Sequence, residues 1–398
     1  MAFRPLLILM CAYLGLTLTG LHTTAALLGN FIQIWDLTNT EAGWLNGSQY
    51  VGYIASVPLI AFSERIDSKR MLLVGTGLNV VAFLGFALLA DGLWSGVAFR
   101  LLQGMGFALS YMPGVKAITD RVEDRDRGRG TSIYVSSFSV ISSVSVILAG
   151  LLSEHFGWRA AYLAPAAANG AAALLILLLL PRKAPEQGAG PRRALFDFSH
   201  ELRDPRMRGF AIGVAMHCVE LLAVRGWTIV LLGMALAPVA WIGQGDILLI
   251  AAALFVLGAP TSMLGGEIGH RKGFAYAAAL AMGISALVCG AVGLSVEGPL
   301  WLLCILILAH NLFVLADAGA LNGGALAAAL PGRRGAAITL VAFANAIGSL
   351  IGPILFGAML DLGGGREAPW AWALAFGATS ACVLIGVAAL RAGRRSPA

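Results

Sequence analysis

The sequence predicts an all-α polytopic membrane protein, with twelve transmembrane helices in two pseudo-symmetric six-helix bundles. Composition is the first observation: of 398 residues, 58% are hydrophobic and only 12% charged, and the mean hydropathy is +0.82. A soluble domain carries about 25% charged residues. The second is the count of apolar segments, at 6–28, 42–62, 71–90, 96–117, 131–152, 160–181, 208–232, 242–264, 273–294, 299–323, 335–360 and 370–391. Each is close to the roughly 20 residues that cross a hydrocarbon layer as a helix, the only form in which a lone segment satisfies its backbone there. The third is the polar stretch 181–208, which divides the spans six and six.

The first segment follows a single Arg4 and resembles a signal peptide, but it lacks a small-x-small cleavage site and is expected to stay as helix 1. The loops alternate in charge. Of 27 Lys and Arg, 22 fall on one side: Arg4, Arg65, Lys69, Arg70, the group from Arg121 to Arg129, seven between Arg182 and Arg208, Arg271, Lys272, Arg333, Arg334 and the C-terminal three. Arg159 and Arg366 alone occupy the opposite loops. The positive-inside rule therefore predicts both termini in the cytoplasm, and a bacterial cytoplasmic membrane is the expected setting. A net charge of +6 spread in this way argues against a nucleic-acid surface. The five cysteines all lie in apolar segments without paired spacing, so neither a disulfide nor a metal site is expected.

Residues 1–181 are read as the first bundle, 182–207 as a cytoplasmic linker and 208–398 as the second bundle; 196–202 suggests a short interfacial helix. The bundles repeat at an offset of 207 residues: Arg127-Gly128 with Arg334-Gly335, Gly150 with Gly357, and Glu154 with Asp361. Parallel repeats of this kind place a site near the bilayer midplane between halves.

Between helices 2 and 3, residues 60–72 crowd Glu64, Arg65, Asp67, Lys69 and Arg70 into a short hairpin. Its spacing resembles the helix 2–3 loop of the major facilitator superfamily: Gly, three residues, Asp-Arg, one residue, Gly, then bases. Glu64-Arg65 takes the acid–base place, while Ile60 and Asp67 stand where the glycines fall. Arg100-Leu-Leu-Gln103-Gly104-Met-Gly106, Gly157-Trp158-Arg159 and Arg127-Gly128 are similar to further features of that family. The family's drug–proton antiporters carry a Gly-Pro-rich helix 5; here that helix has no proline, and the nearest equivalent, Gly348 to Pro353, is in helix 11. The resemblance implies transport by alternating access, a cavity lined by helices 1, 4, 7 and 10, and a cytoplasmic gate built from Glu64, Arg65, Asp67 and Arg70. It also implies that Arg100 takes part in proton coupling.

Ionisable groups within spans cost several kcal/mol and mark pathways or relays. Helix 7 holds His217 and Glu220 on one face, with Arg225 about 140° round from Glu220. Glu220 reads either as a neutral carboxyl bonded to a neighbouring helix or as a proton-coupling group, since burial makes its charged form costly. Asp317 and His310 share a stripe of helix 10. Asp317 is the second coupling candidate, and His310 is a packing residue or a cavity group. Helix 4 presents Arg100, Gln103, Phe107 and Tyr111; helix 2 presents Asn46, Gln49, Tyr50 and Tyr53; helix 1 presents Thr19, His22 and Thr23. Arg100 either attracts an anionic substrate or pairs with a carboxylate of its own bundle. The helix-5 serines Ser132, Ser136, Ser139 and Ser143 are read as packing residues.

The expected substrate cavity comprises His22, Asn46, Gln49, Tyr50, Arg100, Gln103, Tyr111, His217, Arg225 and His310. Its positive balance suits a small organic or inorganic anion or a zwitterion. No phosphate loop, His-Glu-x-x-His or Cys-x-x-Cys motif occurs. The expectation is a monomeric secondary transporter moving a solute with protons, in contact with lipid, without enzyme activity or cofactor. The alternatives are a proton antiporter exporting a metabolite or toxic compound, and a non-transporting sensor or assembly factor of the same fold.

Overall fold

Glycine and proline decide where the apolar runs stay whole and where they break. The computed structural model describes residues 3–61, 66–183, 198–237, 239, 242–330 and 333–395. Glu64 and Arg65 of the hairpin, and 184–197 of the expected linker, lie outside the described residues. The helices are α1 (Phe3–Thr17), α2 (Thr23–Ala26), α3 (Leu28–Ile34), α4 (Asn39–Gly47), α5 (Gln49–Ala61), α6 (Ser68–Leu89), α7 (Leu93–Thr119), α8 (Asp124–Phe156) and α9 (Ala160–Leu179). They continue with α10 (Ser199–Arg203), α11 (Pro205–Leu236), α12 (Gln244–Leu257), α13 (Ala259–Lys272), α14 (Phe274–Leu294), α15 (Leu300–Ala328), α16 (Arg334–Leu362) and α17 (Pro369–Arg395).

Among the described residues, nine stretches are long and apolar enough to span, with α12 and α13 counted together as Gly245–Lys272. The other three expected spans are α1–α3, α4–α5 and α7. The first two are interrupted, and α7 carries Arg100 and Lys116. Helix 1 was expected to run unbroken from 6 to 28; it instead breaks after Thr17 and resumes in short pieces to Ile34. At Gly20 a Cβ would stand 2.7 Å from Pro165 and closer still to the Phe83 ring, so only glycine lets the chain pass there. The second break is at Gly258, where Pro260 supplies no N–H to the helix. Asn311 Nδ2 donates instead to the Leu254 and Phe255 carbonyls, at 2.7 and 3.1 Å.

The chain divides into two compact units. The first contains Met1–Leu27, Ser48–Gly190 and Gly243–Ala252; the second contains Leu28–Gly47, Pro191–Ile242 and Ala253–Ala398. The second unit thus takes in 28–47 and the first takes in 243–252, a stretch that corresponds to 36–45 at the repeat offset of 207.

In the first unit α6 packs on α7 and α9, α5 on α7, and α1 on α8 and α9. Gly52 meets the Leu101 carbonyl and Gly104 meets the Gln49 carbonyl, so α5 and α7 touch backbone to backbone. Small residues permit such contact where lipid offers no hydrophobic drive. The core around Tyr13, Leu72, Ile118 and Tyr134 fills the remainder. At one end Asp67 caps α6 through the Lys69 N–H at 3.0 Å, pairs with Arg121 at 3.0 Å and accepts from the Lys183 N–H at 3.2 Å. Lys69 Nζ donates to the Leu177 and Leu180 carbonyls at the end of α9. The charged hairpin therefore ties the ends of α6, α7 and α9 together.

The second unit stacks α11 on α15, α16 and α17, α14 on α15 and α17, and α4 on α16. Gly348 and Gly352 lie against the Ala215 and Val219 carbonyls, and Trp227 Nε1 donates to the Pro353 carbonyl at 3.1 Å. The short α10 is docked by Glu201, only 1% exposed, which receives Arg333 Nε at 2.6 Å and a second guanidinium nitrogen at 2.8 Å. A bidentate pair of this kind is among the stronger charged contacts.

The Arg333 guanidinium holds the Glu201 carboxyl below the usual carboxylate range. A depressed folded pKa contributes stability above the unfolded value of about 4.3, and that stability is lost as pH falls through the folded value. Docking of α10 should thus persist at neutral pH and fail on acidification. Glu201→Gln should release α10 at neutral pH, seen as faster limited proteolysis at 198–204. Equal cleavage of variant and parent at neutral pH would contradict the role.

Candidate functional site

Three helices of the second unit build a polar cluster in an apolar interior. On α11, His217 and Glu220 are one turn apart; on α15, His310 and Asp317 are two turns apart. The two helices face each other, so each acid of one meets the base of the other. Glu220 Oε1 accepts at 3.0 Å from His310 Nε2 in the tautomer that places a proton there, and at 2.8 Å from Ser285 Oγ of α14. His217 Nδ1 stands 2.7 Å from Asp317 Oδ1, within ion-pair range though misaligned for a hydrogen bond.

Both carboxylates are fully buried, His310 is 2% exposed and His217 7%. An isolated charge there would be very costly; a carboxylate beside an imidazole is tolerable because one shared proton makes the pair neutral overall. The unshared Glu220 Oε2 accepts no hydrogen bond from a described group. Such a pair can hold a proton on either member, and its total charge changes only when that proton leaves.

Ser285 and Cys289 are one turn apart on α14 and face the cluster. Donor atoms of Glu220, Cys289 and His310 come within 4.8 Å of one another. A tetrahedral zinc site needs donors about 3.5 Å apart. Here Glu220 Oε1 is engaged by Ser285 and His310, and Cys289 Sγ donates to the Phe376 carbonyl at 3.7 Å. The geometry fits a hydrogen-bonded network better than a metal centre.

Arg225 is half-buried on α11 with its guanidinium 5.4 Å from the Phe255 ring centre, a cation–π distance. Asn46 of α4 reaches the same helix, its amide nitrogen 2.6 Å from where a Cβ on Gly226 would stand. The sequence-predicted residues His217, Glu220, His310 and Asp317 are thus brought together, and Asn46 reaches the turn that carries Arg225. Ser285 and Cys289 were missed: a serine and a cysteine on a wholly apolar helix give no signal beyond their spacing.

The other expected cavity residues belong to the first unit. Arg100, 1% exposed, donates to Gln103 Oε1 at 2.7 Å across one turn of α7. Tyr111 stacks on Phe107 at 5.7 Å, and Phe107 meets Tyr53 of α5 at 5.8 Å. Gln49 is buried with its carbonyl against Gly104, and Tyr50 is half-buried beside it. His22 is not on a continuous helical face; it starts α2 in the helix-1 break, its N–H donating to Ser145 Oγ at 3.1 Å. Of the expected gate, Asp67 is engaged as described and Arg70 is exposed. The Ser139 side chain lies outside the described residues.

The family model described as Major Facilitator Superfamily matches residues 6–309. Curated relatives include an uncharacterised MFS-type transporter of Enterobacter, 25% identical over 142 residues, or 34% of this chain and 36% of that protein. The MFS antiporter QDR3 of Candida albicans is 27% identical over 149 residues, 36% of this chain and 21% of its own length. Each match spans well under half of the relative. Among solved structures, a bacterial homologue of the human lysosomal transporter Spinster aligns with a TM-score of 0.81 at 17% identity, covering 99% of this chain and 98% of that one. The nucleoside transporter NupG aligns at 0.72 and 14% identity, covering 99% and 98%. Likeness at these identities concerns the fold.

Proposed function

The chain belongs to the Major Facilitator Superfamily of membrane transporters, and from that premise we propose that it is a proton-coupled secondary transporter of a small solute. The reciprocal pairing of Glu220 with His310 and of His217 with Asp317 carries the reading. Each pair is neutral with one proton and negative without it, so protonation changes the electrostatic cost of exposing the cluster to either side of the membrane. Ser285 fixes one Glu220 oxygen and leaves the other free to take a proton.

Bundles 1–181 and 208–398 would rock about a central cavity, with both termini in the cytoplasm, in a bacterial cytoplasmic membrane and as a monomer. His22, Asn46, Gln49, Tyr50, Arg100, Gln103, Tyr111 and Arg225 are the proposed cavity residues. Arg100 and Arg225 give them a positive balance that favours an anion or a zwitterion. Glu64, Arg65, Asp67 and Arg70 are the proposed cytoplasmic gate, in which Asp67 would exchange Arg121 and the Lys183 N–H for a facing helix. Similarity to a protein named an antiporter supports exchange as the second reading, which for this chain would be export of a metabolite or toxic compound against protons.

The test is a panel of labelled anionic, zwitterionic and cationic solutes in inverted membrane vesicles under an imposed pH gradient. Gradient-driven movement of an anion or zwitterion is expected, with Arg225→Ala and Arg100→Ala each weakening its apparent affinity about tenfold or more. Movement of cations alone, or unchanged affinity in both variants, would overturn the substrate class. The direction of proton flow separates symport from antiport.

A further inference from the structure

At the repeat offset of 207, Gly150 and Glu154 end α8 as Gly357 and Asp361 end α16. In each helix the glycine and the acid are one turn apart and share a face. Each pair meets the start of another helix. Gly357 lets α16 approach the Asn39 carbonyl, and Asp361 one turn later accepts from the Asn39 and Thr40 backbone N–H groups at 3.1 and 2.7 Å. It also accepts from Asn39 Nδ2 at 2.8 Å and from the Thr40 hydroxyl.

The first four donors of α4 can be followed completely. Glu41 N–H goes to Thr38 Oγ1 and Ala42 N–H to the Thr38 carbonyl, while Asn39 and Thr40 depend on Asp361. Half of this helix start is therefore capped by a residue 321 positions away.

The other copy brings the same glycine–acid spacing to the start of α12, where the Gly243 N–H is held by Asp246 Oδ2 at 2.9 Å. A Cβ on Gly150 would stand 2.6 Å from the Leu248 side chain, and the Glu154 carboxylate lies against Gly243 and Gly245 at the start of α12. One methylene matches each acid to its gap. Where glycine admits a backbone carbonyl the acid is aspartate; where a leucine side chain intervenes it is the longer glutamate.

We infer that Glu154 and Asp361 are a matched pair of latches that hold closed the membrane face opposite the basic loops. Each joins a helix of one repeat to a helix start of the other: α8 to α12, and α16 to α4. A transporter that opens alternately must separate these helices to open that face; at Asp361 the separation strips the Asn39 and Thr40 N–H groups of their acceptor, and at Glu154 it pulls the carboxylate off the start of α12. The latches thus favour the conformation in which both contacts are made, and they release together. This rests on the alternating-access reading, but its test measures no transport.

Hydrogen–deuterium exchange of the purified protein in lipid nanodiscs reads the latches directly. Asp361→Asn and Glu154→Gln keep size and remove charge. Either substitution alone should speed exchange by about three- to tenfold in both 36–47 and 243–252, because one lost latch favours opening of the whole face. Exchange in α14 should stay unchanged, which reports an intact fold. If acceleration is confined to the segment each acid touches, the acids are independent helix caps and the paired latch is overturned. No acceleration overturns it as well. If Asp361→Asn proves unstable, Glu154→Gln decides alone through the distant segment 36–47.

Discussion

Replacing Gly104 with leucine is expected to eliminate folded protein from the membrane while sparing insertion of the individual helices. Gly104 of α7 lies against the Gln49 carbonyl, and Gly52 of α5 against the Leu101 carbonyl, so two glycines form one crossing from both sides. A side chain at 104 would drive the helices apart, since the obstacle is backbone and has no alternative rotamer. The displaced α5 would also lose the Tyr53–Phe107 contact, and α7 carries the Arg100–Gln103 pair on the same stretch. Overpacking of this kind costs about 3 kcal/mol or more, a large share of a domain's stability. Gly29, with open space around its Cβ position, is the control: Gly29→Ala should leave the yield unchanged. Monodisperse recovery in detergent measures both. Parental yield for Gly104→Leu would show that the crossing is not required.

Substituting glutamine for Glu220 is expected to uncouple solute movement from the proton gradient. Glutamine keeps the shape and can still accept from Ser285, so the cluster should stay packed around Ser285 and His310. What disappears is the exchangeable proton. Gradient-driven accumulation should fall by about a hundredfold or more, as when a general acid–base group is removed. Exchange of labelled for unlabelled solute, which needs no net proton movement, should persist. Loss of exchange together with accumulation would mark Glu220 as a packing or binding residue; full accumulation would remove it from coupling.

The spans were legible because runs such as those of α6 and α14 have lengths that lipid dictates, and the helix faces were legible from spacing. His217 with Glu220 and His310 with Asp317 could each be assigned to one face from residue numbers alone. That the base of one helix meets the acid of the other could not, since it depends on which helices are neighbours. Ser285 was invisible for the same reason. The helix-1 break was hidden because its cause is remote: Gly20 is confined by Phe83 and Pro165. The charged hairpin was recognised as a unit, but the partners of Asp67 come from the ends of other helices, at Arg121 and Lys183. The repeat of Glu154 and Asp361 was readable as an offset, while its use emerged only with the helix starts that the two acids meet.

Infrared difference spectroscopy tests, without a known solute, whether the buried acid–histidine pairs take up and release protons. Acidifying the purified protein in lipid should produce a carbonyl-stretch band of a buried protonated carboxyl that shifts in heavy water. That band should lose intensity in Glu220→Gln and vanish in Glu220→Gln with Asp317→Asn. An undiminished band in the double variant would contradict the account.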